Sequence, residues 1–491
     1  MTAAEPVRQT SPWRPMVAAM WKTGGASIAS AMASAMATKI VASVLGPGSI
    51  ALLGTLQQLR DGAVTLATAN GRTALVQGLS SLDGVARREY LRTVGLLFGG
   101  ATLLVAIAIC AAPSEIIRWS RLPDSSASML TWLALTVVLL SAFVFLTGMV
   151  NAMGEIGKLA LLQMASPLAA LAVAWPMAAS VRAGHPSAMI LYLAIPGAAA
   201  ITASAAALFR HREQLRGWFQ GSGRWCTAGA ARHFLAISAA MLASGLVANV
   251  VLLAVRGSMI RREGLGMTGQ FDAAWNISMN HVTLILASVQ TYYLPALSAS
   301  KSATDRGRKI RRMLMVATLV TVPVIVCLAA LKPLAVSVLY SRAFGTAPEF
   351  LRWTLLGDFL KVGSWVLATP MLAARDLSAF LIFDLLAHGT FLGSAVLLAG
   401  IVRPSEGAAM GFLISHTLYF ALCYRHARKK YEFRLGARGR SAWVTGLALV
   451  AAVSADCWSD SAVHWARAAM WIALAIGFSG GFALYIRRRE A

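Results

Sequence analysis

The chain has 491 residues, 57% hydrophobic and 13% charged, with 44 Lys and Arg against 20 Asp and Glu and a formal net charge of +24. An ordinary soluble domain carries about 25% charged residues, so a mean hydropathy of +0.65 leaves more apolar surface than one soluble core could hide and places the chain in a bilayer. The positive excess is the signature of cytoplasmic loops between membrane spans, and no basic stripe with interleaved aromatics stands outside those loops, which argues against a nucleic-acid partner.

A spanning helix needs about 20 mainly apolar residues, and that ruler predicts an all-α polytopic membrane protein of about fourteen transmembrane helices. They fall near 17–44, 50–82, 93–112, 129–150, 159–181, 188–209, 234–255, 269–295, 313–340, 351–373, 377–401, 408–424, 442–456 and 464–486. Arg8, Arg14 and Lys22 precede a small-residue stretch in the first of these, and Ala33-Ser34-Ala35 mimics a signal-peptide cleavage site. The stretch runs on through Val44, however, and is rich in small residues, which reads as a retained first helix with close neighbours.

A basic segment at 210–233 falls after six predicted helices, and six more follow before a last pair. This divides the chain into a tail (1–16), an N-lobe (17–209), a basic linker (210–233), a C-lobe (234–424) and a final basic loop with two helices and a C-terminal tail (425–491). Two six-helix lobes plus a terminal pair suit a duplicated transporter with its site between the halves. With both termini inside, the tails and the segments 83–92, 151–158, 210–233, 296–312, 374–376 and 425–441 hold about 28 of the 44 Lys and Arg. The positive-inside rule therefore predicts cytoplasmic N- and C-termini.

No loop is long enough for a soluble catalytic domain, and no GxxxxGK[ST] phosphate loop is present. Cys110, Cys226, Cys327, Cys423 and Cys457 are scattered without CxxC or zinc spacing, and no two histidines have metal-ligand spacing. The sequence therefore predicts no enzyme, no cofactor and no metal; energy would come from an ion gradient, proton or sodium, or from the substrate's own gradient.

Ionisable groups inside a bilayer cost about 2.5–3.5 kcal/mol each on insertion scales and are functional candidates by default. The second helix carries Gln57, Asp61, Thr65, Thr68 and Arg72 within an arc of about 80°, with Arg60 beside them. The eighth carries Asp272, Asn276, Asn280, Thr283 and Gln290, and the tenth Thr354, Asp358, Lys361, Trp365 and Thr369, on similar faces. Three polar stripes predict a shared water-filled cavity.

A plainer reading stands beside each. Asp358 and Lys361, spaced i, i+3, could neutralise each other, whereas the adjacent Arg60 and Asp61 should not face each other on a helix. Lys22, Arg72, Lys332 and Arg467 lie near helix ends, where snorkelling explains them, and Lys39 fits either reading. His281 points away from Asp272 and reads as a packed or lipid-interface residue, and His388 and His416 sit alone on apolar helices.

Deep Arg and Lys suit a diphosphate, whose oxygens they bind strongly where water is scarce. Asp, Asn, Gln and Trp suit a hydroxyl-rich glycan. Together they point to a sugar chain attached through phosphate to a lipid.

The stretches Lys39–Gln58 (KIVASVLGPGSIALLGTLQQ), Asn151–Gly154 (NAMG), Tyr292–Ser298 (YYLPALS), Leu339–Phe344 (LYSRAF) and Leu351–Trp365 (LRWTLLGDFLKVGSW) carry a family resemblance. The chain resembles the polysaccharide transporter branch, of O-antigen translocase type, of the multidrug/oligosaccharidyl-lipid/polysaccharide exporter superfamily. The resemblance spans roughly 17–430 and implies a bacterial inner-membrane flippase. Such proteins move undecaprenyl-diphosphate-linked oligosaccharides, O-antigen or exopolysaccharide repeat units, to the periplasmic leaflet by alternating access. Gly46-Pro47-Gly48 would be a tight outer connection. The expected diphosphate ligands are Arg60, Lys361, Lys39 and Arg72. The expected glycan-facing residues are Gln57, Asp61, Asp272, Asn276, Asn280, Gln290, Asp358 and Trp365, with Asp61 or Asp272 taking up coupling protons. Partners would be membrane lipids and the polymerase and glycosyltransferases of the same pathway. A drug/ion antiporter, a peptidoglycan lipid-precursor flippase and a non-transporting membrane scaffold are the alternatives.

Overall fold

The computed structural model describes the backbone of residues 13–123, 127–298, 300, 302–374, 376–456 and 462–490. Side chains are described within those ranges except at 13–28, 127, 156–157, 159–160, 214, 284, 287–292, 294–295, 298, 462–463 and 483–490. Among the described residues every regular element is helical. The first half holds α1 (Trp13–Ala67), α2 (Arg72–Ser81), α3 (Gly84–Ala111), α4 (Pro113–Ser120), α5 (Ala127–Ala152), α6 (Ile156–Arg182), α7 (Met189–Phe209) and α8 (Arg212–Phe219). The second holds α9 (Ala228–Ser298), α10 (Ala303–Ala330), α11 (Lys332–Leu339), α12 (Ala347–Ala373), α13 (Leu377–Leu398), α14 (Pro404–Lys430), α15 (Ala437–Ala455) and α16 (Ala462–Glu490).

Two helices are broken by one device. In α1, Gly46 adopts φ 75°, ψ −175°, and in α9, Gly264 adopts φ 79°, ψ 174°. Only glycine takes this backbone region without strain, because any Cβ would clash with its own chain. Each glycine folds one long helix into two arms. Ten helical stretches among the described residues are long and apolar enough to cross a bilayer, and two of them, Ala29–Ser81 and Ala228–Thr283, contain both arms of a bent helix. With α15 and α16 as the last pair, the order of long helices follows the expected one.

Several boundaries differ from the sequence reading. The segment 256–268, expected between spans, is helical on both sides of Gly264, because hydropathy marks the end of an apolar run and not the end of a helix. The span expected at 313–340 is shifted: α10 runs Ala303–Ala330, and Leu331 separates it from the short α11. The loops also hold α4, opened by Pro113, and α8 in the basic linker.

Within the first half, α1 packs on α6, α5 on α3 and α7, and α6 on α7; within the second, α12 packs on α9, α10, α14 and α15, and α13 on α14. The two groups meet along α1 and α9. Outward positions such as Leu104, Leu161, Trp175 and Ile401 are exposed, as a lipid-facing rim requires.

At the bends the seam is shut. A Cβ at Gly269 would lie 1.9 Å from the Pro47 carbonyl oxygen, so only glycine permits this approach. Ser43 Oγ donates from the first half to the Tyr340 carbonyl at 3.2 Å, and within the second half Gln270 Nε2 ties α9 to the Ala343 carbonyl at 2.8 Å.

Candidate functional site

The first arm of α9 runs antiparallel alongside the second arm of α1, from the bends, where Gly48 stands beside Leu265, to Asn70 beside Met241, and α12, α13 and α14 pack on α9. Between them lies a cavity of about 310 Å³. Gln58 from α1, Asn249 and Trp275 from α9, Lys361 and Trp365 from α12, Asp384 and His388 from α13, and His416 and Tyr419 from α14 line it. Phe391 and Phe412 complete an aromatic wall, with Trp275 stacked on Phe391 at 5.9 Å and edge-on to Phe412 at 5.1 Å.

Lys361 is the cation of this cavity. Its Nζ is 3.0 Å from Met279 Sδ and 5.4 Å from the centre of the Phe412 ring. Among the described ion pairs none includes it. Asp358, one turn earlier, is fully buried and satisfied elsewhere: Ser278 Oγ donates to its two oxygens at 2.9 and 2.8 Å, and His281 Nε2 stands 3.4 Å away. Asp358 and Lys361, paired by their spacing, make no direct ion pair among the described contacts, although their charges still act on each other. Across the cavity, Asp384 accepts from Ser244 Oγ at 2.6 Å, with His388 Nε2 at 3.6 Å. An ammonium among aromatic rings, imidazoles and amides can take phosphate oxygens, while the indoles offer faces to sugar rings.

A buried ion pair closes the seam beside this cavity. Arg256 Nε donates to Asp272 Oδ1 at 2.9 Å, and Nη1 donates to the Gly54 carbonyl at 3.0 Å and to Gln58 Oε1 at 3.3 Å. Asp272 is completely buried and Arg256 nearly so. Gly54 makes room for the carboxylate: a Cβ there would be 2.6 Å from Asp272 Oδ2. One arginine thus ties together both arms of α9 and the second arm of α1.

No family model matches the chain. A stretch of 158 residues, 32% of this chain, is 27% identical to the Lipid III flippase of Escherichia coli (strain K12), and the same figures hold for that of Shigella flexneri. The match spans 37% of the length of those relatives. Among solved structures, a Lipid II flippase, MurJ, in an inward closed conformation superposes with a TM-score of 0.71 over 97% of this chain and 100% of that one, at 13% identity. An inward-facing multidrug resistance MATE family transporter of the MOP superfamily gives 0.67 over 84% of this chain and 96% of that one, at 14% identity. The chain has the MurJ/MATE transporter fold.

Within this transporter fold the residues expected from sequence part company. Lys361 and Trp365 share the cavity. Gln57 does not line it; its neighbour Gln58 does. Asp272 is closed against Arg256, and the half-buried Asn276 does not line the cavity. Asn280 is exposed, and the side chain of Gln290 lies outside the described residues, as does that of Lys22. Arg60 and Asp61 do pair despite being adjacent, with Arg60 Nε and Nη2 at 2.9 and 2.8 Å from Asp61 Oδ1, because the long guanidinium stem folds back along the helix surface. Lys39 donates to the Ser337 carbonyl at 2.5 Å, and Arg72 is the first residue of α2, partly buried.

Sequence reasoning missed Arg256, Asn249, Asp384 and the roles of three histidines. His281 does point away from Asp272, but that opposite face meets Asp358 on α12. His388 and His416, solitary on their apolar helices in sequence, line the cavity. Asp384 and His388 stand at i, i+4 on an otherwise apolar helix, a signal that was available in the sequence.

Proposed function

We propose that this protein is a flippase for a polyprenyl-diphosphate-linked oligosaccharide. It carries an O-antigen or exopolysaccharide repeat unit on undecaprenyl diphosphate from the cytoplasmic to the periplasmic leaflet of a bacterial inner membrane, by alternating access, with both termini cytoplasmic. The observation that carries this reading is Lys361, an ammonium with no carboxylate partner among the described ion pairs, in a cavity walled by Trp275 and Trp365. The carboxylate that lines the cavity, Asp384, accepts from Ser244 Oγ and faces His388, whereas a site for cationic drugs calls for a carboxylate open to the ligand; an ammonium beside indoles suits an anionic head with sugars.

In this reading Lys361 holds the diphosphate, helped by His388 and His416, and the indoles stack on sugar rings. Arg60, Arg72 and Lys39 join the anion's path when the seam between α1 and α9 opens. Asp61, whose side chain is 55% exposed, is the candidate for coupling to a proton or sodium gradient; Asp272, held by Arg256, is the weaker one. Glycosyltransferases would supply the substrate and a polymerase would consume it.

A peptidoglycan lipid precursor is the second reading. It is favoured by the extent of the likeness to the Lipid II flippase, 97% of this chain against 84% for the MATE transporter. Depletion of the protein, followed by lipid extraction and mass spectrometry, separates the two. Accumulation of an oligosaccharide-diphosphate lipid is the expected result, and accumulation of the peptidoglycan precursor selects the second reading. Unchanged lipids with altered drug sensitivity would contradict both.

A further inference from the structure

A second cavity, of about 350 Å³, lies between the second arm of α1, α3 and the first arm of α9. Its walls are apolar, with Ala63, Val105, Ala108 and Leu253 among them and Trp119 at one end. Its two amide side chains are Gln58 and Asn249, and both also line the Lys361 cavity. The two amides stand in the wall between the two spaces, where the second arm of α1 packs on the first arm of α9, and they bond to each other: Gln58 Nε2 donates to Asn249 Oδ1 at 2.5 Å. Each amide is anchored on its outer side, Asn249 by donating to the Gly245 carbonyl at 2.7 Å and Gln58 by accepting from Arg256. The two helices stand close here, since a Cβ on Gly62 would be in ordinary contact, at 3.5 Å, with that of Asn249.

An apolar groove in a bilayer is no evidence of a ligand by itself, because lipid tails are as apolar as leucine. The shared wall is what identifies an occupant. A cationic, aromatic cavity on one side and an apolar groove on the other fit one kind of molecule, a phosphate head joined to a long hydrocarbon chain.

We propose that this groove holds the head-proximal isoprene units of the substrate's polyprenyl chain while the diphosphate sits at Lys361, and that the Gln58–Asn249 hydrogen bond parts to admit the linkage between them. The proposal rests on the flippase reading and adds the place of the lipid chain, at the seam of α1 and α9.

The test uses the full chain in proteoliposomes with a radiolabelled polyprenyl-diphosphate disaccharide. A photoreactive p-benzoylphenylalanine replaces either Ala108, on the groove wall, or Leu104, which is 69% exposed on the same helix and does not line the groove. Cross-linking at position 108 should exceed that at 104 severalfold. It should be competed by unlabelled polyprenyl diphosphate and not by phosphatidylglycerol. Equal labelling at both positions, or equal competition by phosphatidylglycerol, would mean that bulk lipid fills the groove and would overturn the proposal. A second arm measures flipping of long-chain and two-isoprene analogues by Ala63→Trp. The ratio of long-chain to short-chain rate should fall severalfold; an unchanged ratio in a transporting variant refutes the groove alone. Wild-type protein that flips neither analogue refutes the flippase reading, and the groove with it.

Discussion

Arg256 and Asp272 form a charge pair that water does not reach, and that decides how each can be replaced. Removing one partner of a buried pair leaves an uncompensated charge and costs about 3–5 kcal/mol, whereas replacing both by apolar groups is often neutral. Arg256→Met should therefore lower the yield of folded protein in detergent, while Arg256→Met with Asp272→Leu restores it. Equal losses in the single and double variants would argue against a mainly structural pair. Lys361 behaves differently: Lys361→Ala should leave the folded yield near wild type and reduce flipping about tenfold or more, the size expected when a charge-assisted contact to phosphate is lost. Lys361 was legible in the sequence as a charge in an apolar run. Arg256 was not, because it stands just past its apolar run, in a helix that ends only at Gly264. The histidines were hidden for another reason: a helical wheel gives the angle of His281 but not that Asp358 of α12 occupies that side.

The bends of α1 and α9 carry the architecture at the scale of elements. Gly46→Ala or Gly264→Ala forces a Cβ into a region that costs about 1–3 kcal/mol, and each should lower thermal stability in detergent. Gly269→Val acts on the contact between the bends and not on either bend. Its side chain would collide with the Pro47 carbonyl and hold the seam apart at that end. The expected result is slower flipping, together with increased reaction of a cysteine placed at Ser43 with an impermeant thiol reagent added from outside; unchanged labelling would show that the contact is not a gate. The turn Gly46-Pro47-Gly48 is legible from its residue types, but the matching bend at Gly264 lacks a proline and falls between two apolar runs. Where α13 begins, Asp376 joins α14: Lys430 Nζ is 2.6 Å and His426 Nε2 3.0 Å from its Oδ2. Partial burial opposes the charge of Asp376, yet the hydrogen bonds and charges of Lys430 and His426 hold its carboxyl below the usual range. A depressed carboxylate stabilises the fold at pH above its unfolded value and loses that contribution as pH falls through the folded one. Asp376→Asn should accordingly flatten the acid limb of the thermal-stability profile; an unchanged limb would remove Asp376 from that role.

For the whole molecule, the excess of basic residues in alternate loops supports a topology with both termini cytoplasmic, and cysteine labelling at Arg434 and at Arg342 tests it, with only the latter expected to react from the periplasmic side. The helix order was legible because each span needs its own apolar run. The cavity was legible only in part, since it forms where five helices converge and no one helix carries more than a few of its residues. We propose that these helices carry a diphosphate-linked glycan across the bilayer. The most direct test is a proteoliposome assay in which a lipid-linked oligosaccharide becomes accessible to an impermeant glycan-modifying enzyme. Wild-type protein should speed that exposure and Lys361→Ala should not; equal rates with wild-type, Lys361→Ala and protein-free vesicles would contradict the account.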